Sequence, residues 1–183
     1  FEEIDGRPGY YVHGFLRHAD RLELRALWYD NRGDPAAFEP SIVEYAWDTR
    51  FLAVGARYET GARTTIVSQW LNGVTDVGPA AHDRWTFDSA FLLVSQQLGR
   101  HRLSGRVDAF SLDHVRTSFP IALGRERGDA WSVAWTWQAT EPLALSVEWL
   151  VVDSEFNWRS RLGEAPAALE RSLQPGLRYT LSA

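Results

Sequence analysis

The run Trp131-Ser132-Val133-Ala134-Trp135-Thr136-Trp137-Gln138 alternates strictly, with Trp131, Val133, Trp135 and Trp137 on one side and Ser132, Ala134, Thr136 and Gln138 on the other. Period two is the mark of an extended strand whose two faces meet different surroundings. After Ala139-Thr140-Glu141-Pro142 the pattern resumes, with Leu143, Leu145, Val147, Trp149 and Val151 set against Ala144, Ser146, Glu148 and Leu150. Two alternating runs across a tight connection predict a β-hairpin.

Working outward, the same plan recurs three times. Residues 10–18 and 21–30 join at His18-Ala19-Asp20, 47–59 and 63–71 join at Thr60-Gly61-Ala62, and 85–98 and 102–112 join at Gly99-Arg100-His101. A ninth strand is predicted over Leu173–Leu181. Between hairpins lie stretches rich in Gly, Pro, Asp, Asn and Arg: 31–46, 72–84, 113–129 and 153–172. These read as long loops, and Glu164–Leu173 reads as one or two helical turns inside the last of them.

Strict alternation of short and long connections is the habit of an outer-membrane barrel, where short turns face one side and long loops the other. A water-soluble antiparallel sandwich also alternates apolar and polar residues, and stays open as the second architecture. Its polar faces would be solvent-like. Here they mix Arg, Glu and Asp with Ser, Ala, Gly and a few large apolar groups, which suits a wet, partly constricted lumen. The expected fold is therefore all-β: an antiparallel up-and-down transmembrane β-barrel over residues 1–183. Nine strands are visible, and both termini of an even-stranded barrel lie on one side, so at least one earlier strand is expected. The chain opens at Phe1 rather than Met. It is read as a processed or truncated piece, the C-terminal part of a larger barrel.

The 183 residues include nine Trp, no Cys and no Met, and all 19 basic residues are Arg. Without Cys there is no disulfide framework and no thiolate metal site. A net charge of −5 supplies no basic footprint for nucleic acid. No run of 18 or more apolar residues predicts a transmembrane helix or a signal peptide. The Trp and Tyr of the apolar faces cluster near strand ends: Trp28, Tyr58, Trp70, Trp85, Trp131 and Trp149. Amphipathic rings are stable where hydrocarbon meets head groups, so these six are the candidate membrane-interface aromatics.

The other face carries Arg17, Arg21, Glu23, Arg25, Arg57, Arg102, Arg106, Asp108, Glu148 and Arg178 as pore-lining candidates. Charges across a pore bias which ions pass. Seven arginines against three acids give an expected mild preference for anionic solutes; the plainer alternative is cross-strand ladders that satisfy one another. His13, His18, His82, His101 and His114 show no metal-ligand spacing, and Gly-x-Ser-x-Gly and Gly-rich phosphate loops are missing from the sequence. No catalytic group, metal or cofactor is therefore expected. Arg32-Gly33-Asp34 spells a cell-adhesion tripeptide, but at a strand exit before Pro35 it reads as a turn.

Three stretches carry a resemblance: Trp28-Tyr29-Asp30-Asn31-Arg32-Gly33-Asp34-Pro35, Tyr45-Ala46-Trp47-Asp48-Thr49-Arg50-Phe51, and Leu173-Gln174-Pro175-Gly176-Leu177-Arg178-Tyr179-Thr180-Leu181. With the hairpin-loop organisation, they resemble porin-like outer-membrane proteins of Gram-negative bacteria. The resemblance implies an outer-membrane location, passive diffusion of small hydrophilic solutes, the lipid bilayer as partner, and a homotrimer as the assembly to look for. One departure stands out: such proteins usually finish on an aromatic residue, whereas this chain ends Leu181-Ser182-Ala183. The runner-up function belongs to the soluble architecture, a β-sandwich or small barrel binding carbohydrate through exposed aromatics.

Overall fold

The computed structural model describes residues 4–41, 43–61, 63–116 and 121–180, with backbone alone for 121–123. Ala62 and Leu181–Ala183, singled out above, lie outside the described residues. The alternating runs form strands β1 (Tyr10–His18), β2 (Leu22–Asp30), β5 (Trp47–Thr60), β6 (Thr64–Val77), β7 (Asp83–Leu98), β8 (His101–Arg116), β9 (Ile121–Gln138), β10 (Leu143–Phe156) and β11 (Ala167–Tyr179). Two short strands, β3 (Phe38–Glu39) and β4 (Glu44–Tyr45), make a separate small hairpin between β2 and β5.

The nine long strands form one antiparallel sheet in the order β1-β2-β5-β6-β7-β8-β9-β10-β11, each paired with its chain neighbour. This is an up-and-down meander. It is open, not closed as expected for a whole barrel: β1 and β11 are its two edges. An even number of steps separates them, so they run in the same direction and cannot pair antiparallel with each other.

Turn chemistry explains the hairpins. Ala19 and Asp20 both take positive φ (51° and 51°), the two left-handed positions of a type I′ turn, whose twist matches the flanking strands. At the β7–β8 turn Gly99 has φ 61°, the position a type II′ turn gives to glycine. Thr140 and Leu143 exchange backbone hydrogen bonds of 3.2 and 3.3 Å to close β9–β10.

Two of the predicted long loops are largely strand, and a third is half strand. The 72–84 stretch is strand up to Val77 and again from Asp83, joined through Gly78 and the left-handed pair Ala80–Ala81. Likewise 113–129 is strand except at 117–120, which lie outside the described residues. The 153–172 stretch shrinks to 157–166, and its helical turn is a 3-10 segment over Asn157–Leu162 rather than Glu164–Leu173. Gly, Asp and Arg make these stretches loop-like in composition, but the sheet places them on its faces, where cross-strand partners outweigh weak strand propensity. Only 31–46 remains a long connection.

Candidate functional site

Direct pairing assigns every strand residue to one of two faces. The first face carries Leu22, Leu24, Ala26 and Trp28 on β2, Ala90, Leu92 and Val94 on β7, Trp131, Val133, Trp135 and Trp137 on β9, and Leu145, Val147 and Trp149 on β10. Many of its large side chains are exposed, among them Val107 at 55 %, Trp149 at 46 % and Leu173 at 69 %. The second face is more shielded: along β7, Ala90, Leu92 and Val94 are exposed while Ser89, Phe91 and Leu93 are half-buried. Such shielding is what the concave side of a curled sheet gives. Among the described residues the buried hydrophobic side chains are only Ala46, Ala53, Ala144 and Val151. Among the described residues no second layer covers the apolar face, and each exposed Val or Leu left there forgoes about 1.5–3 kcal/mol of burial.

The apolar face is bounded. Toward the long-connection end stands a charged zone, with Arg84 bidentate on Asp76 at 2.6 and 2.9 Å, Arg50 on the same carboxylate at 3.5 Å, Arg125 on Asp113 at 3.1 Å and Arg127 on Glu155 at 2.7 Å. Trp28, Trp70, Trp131 and Trp149 mark the border with it. The Trp70 indole N–H donates to Asp88 at 2.9 Å, so its polar edge points into the charged zone. Trp131 and Trp149 pack edge to face at 4.9 Å. Tyr58 and Tyr179 mark the border at the tight-turn end.

These borders cross the sheet obliquely. Following direct partners from Trp28 leads through Leu52, Asn72, Asp88, Ser111 and Arg127 to Glu155, six strand steps away, yet Trp149 lies six residues back along β10. Starting from Tyr58, the path leads to Leu173, and Tyr179 lies six residues further along β11. Both borders therefore drift one residue per strand. With ~3.3 Å per residue and ~4.8 Å between strands, a level band of this kind needs strands inclined by about 35°. The stretch Leu143–Val151 then projects to roughly 22 Å.

Five of the six interface aromatics share this face. Trp85 does not: it pairs with Thr75 and His114, one residue out of phase with Arg84 and Thr86, and stacks on His114 at 4.2 Å on the second face. Its position beside a strand start suggested an interface ring, but alternation in β7 runs through Ala90, Leu92 and Val94, and Trp85 falls on the other parity.

Nine of the ten pore-lining candidates lie together on the second face: Arg17, Glu23, Arg25, Arg57, Arg102, Arg106, Asp108, Glu148 and Arg178. Arg21 sits in the β1–β2 turn. The pairs they form are mostly along one strand rather than across strands. Arg25 bonds Glu23, Arg57 bonds Glu59, and Arg106 bonds Asp108 at 2.9 Å, each two residues apart on one face. Among the described residues, the one ion pair of theirs that bridges two strands is Arg17–Glu23, at 2.9 Å. Three arginines are left over at the turn end. Arg100, Arg102 and Arg178 line a cavity of about 390 Å³ with Gln97, Thr136, Gln138 and Ser146, and none of its lining residues is acidic. Arg102 donates to the Gln97 side-chain carbonyl at 3.1 Å.

An aromatic layer on the same face escaped the sequence reading. Tyr29 stacks on Phe51 at 5.0 Å, and Phe87, Phe91 and Phe110 continue the row. Glycines make room for it: a Cβ on Gly73 would run into the Phe87 ring, and one on Gly128 would lie 2.8 Å from the Phe110 ring. The Arg106 guanidinium lies 4.2 Å over the Phe91 ring, where the charged and aromatic layers meet. The signal was present as phenylalanines on the parity of the polar residues.

The 3-10 segment Asn157–Leu162 folds onto this face. Asn157 accepts a hydrogen bond from the Arg125 backbone N–H at 2.9 Å, and Arg159 donates to the Ser154 carbonyl at 3.1 Å. Near β2, Arg32-Gly33-Asp34 is irregular, with Arg32 at φ 53° and its N–H donated to Asp30 at 2.7 Å, and the turn follows at Pro35–Ala36, closed by the Ala37 N–H on the Asp34 carbonyl at 2.9 Å. No family model matches the chain, and no curated protein or solved structure matches it.

Proposed function

We propose that this chain is part of an outer-membrane β-barrel of a Gram-negative bacterium that lets small hydrophilic solutes diffuse through its lumen, with a preference for anions. The observation that carries the reading is the exposed apolar face, bordered on both sides by aromatic rings and oblique to the pairing by one residue per strand. A strand tilt of about 35° and an apolar height of roughly 22 Å match what a bilayer-spanning barrel needs. A soluble sandwich would place a second sheet over that face. Because β1 and β11 run parallel, closing the wall takes an odd number of further strands, from the same protein or another.

The lumen side follows by exclusion. It holds nine of the ten pore-lining candidates, and Arg100, Arg102, Arg178 and the turn residue Arg21 make no ion pair among the described residues. Conduction needs no catalytic group; a favourable field and a wet path suffice. Reconstitution of the full-length protein in a planar bilayer tests this. Stepwise conductance is expected, with a reversal potential in a salt gradient of the sign for anion preference, moved toward cations by Arg102→Glu with Arg178→Glu. Absence of conductance from folded protein, or a cation preference in the unaltered protein, contradicts it.

A further inference from the structure

We propose that the long-connection end of the second face holds a binding site for an aromatic carboxylate, built around Trp158 and Arg161 of the β10–β11 connection. It deepens the channel reading, from which it takes only that solutes reach this face.

The cavity there has a volume of about 540 Å³, within the range of small-molecule sites. Trp85 and His114 stack at 4.2 Å and 13°, forming one flat wall from two neighbouring strands. Leu112 and Phe156 supply apolar surface, and Trp158 stands on the folded-in segment. The segment reaches down because β9 has no side chain in its way. Gly124 is buried, and a Cβ there would lie 2.9 Å from Trp158 and 3.2 Å from Phe156. An apolar slot lined by rings on two sides accepts a planar ring.

Charge selects among planar rings. His114 and Arg116 are both held by Asp83, at 3.2 and 3.3 Å. Arg161 is different: its guanidinium lies 4.6 Å over the Trp158 ring, it is exposed, and it makes no ion pair among the described residues. Glu126, opposite Leu112 and Phe156 in register, does not line the cavity. A stacked guanidinium with its donors free is suited to a carboxylate, which accepts two parallel N–H bonds. Ring and charge together define the ligand class.

The test uses the full-length protein folded in detergent, with heat-modifiable gel mobility as the check on folding. Titration calorimetry compares benzoate with benzamide, which keeps the ring without the charge, and with acetate, which keeps the charge without the ring. Benzoate is expected to bind at least about ten-fold more tightly than either. Arg161→Gln should weaken benzoate by about ten-fold and leave benzamide unchanged, Arg161→Lys should recover part of the loss, and Trp158→Leu should weaken both ring ligands by about five-fold. Benzoate binding no tighter than acetate, or unaltered by Arg161→Gln, overturns the site. Binding is read without conductance, so benzoate affinity in a protein that does not conduct would retire the channel and keep the site. Conductance without benzoate affinity would do the reverse.

Discussion

Gly73 shows how single positions shape the second face. The Phe87 ring lies where a side chain on Gly73 would go, with the Phe51 Cβ 2.6 Å from the same point. Adding one methyl must push a ring out of a packed row. Gly73→Ala is therefore expected to destabilise the fold by about 1–3 kcal/mol, whereas Gly105→Ala, with open space around it, should change stability little. Urea unfolding in detergent, followed by gel mobility, distinguishes the two; equal effects would deny the close approach. At the same scale Asp76 is 4 % exposed and gathers Arg50 and Arg84 from two neighbouring strands. One carboxylate thus fixes the register of three strands at the charged border of the apolar face.

Among the elements, the 31–46 connection owes its base to a few polar groups. Asn31 donates to the Trp47 carbonyl at 2.8 Å and accepts from the Thr49 N–H at 2.6 Å, stapling the exit of β2 to the start of β5. Asn31→Ala leaves both backbone groups without that partner, a loss of about 1–2 kcal/mol confined to the loop. Limited proteolysis should then cut within 31–46 faster while the sheet stays intact; an unchanged cleavage rate would show the staple to be idle. This element was legible in the sequence because Asp, Asn, Gly and Pro cluster without alternation. The other connections were not. Thr75, Asp76, Asp83 and Arg84 have loop-like composition, yet they continue β6 and β7, because polar residues with a cross-strand partner extend a strand as well as apolar ones do. The inward fold of Asn157–Leu162 was illegible for a related reason: it depends on Gly124, far away in sequence, leaving room for Trp158.

For the whole molecule, the decisive feature is that the sheet is inside out. A broad apolar band lies on its exposed face and nine of the ten pore-lining candidates on the shielded one, the reverse of a sheet that packs its apolar side into a core. Period two in β9 and β10 foretold the faces correctly, since register preserves parity across every neighbouring strand. The open edges, the tilt and the aromatic layer needed the pairing itself. Nine Trp could have been core, sugar platforms or interface rings. Register places Trp28, Trp70, Trp131 and Trp149 along one oblique border and removes Trp85 to the other face.

The central claim is that the first face meets hydrocarbon. Residues 1–183 contain no cysteine, so single cysteines at each position from 89 to 94 on β7, the only ones in this stretch, are labelled with an environment-sensitive fluorophore in the full-length protein in lipid vesicles. Labels at Ala90, Leu92 and Val94 should be quenched by a lipid-borne quencher and spared by aqueous iodide, and labels at Ser89, Phe91 and Leu93 should escape the lipid quencher. Loss of that alternation, or iodide quenching at Ala90, Leu92 and Val94, would contradict the account.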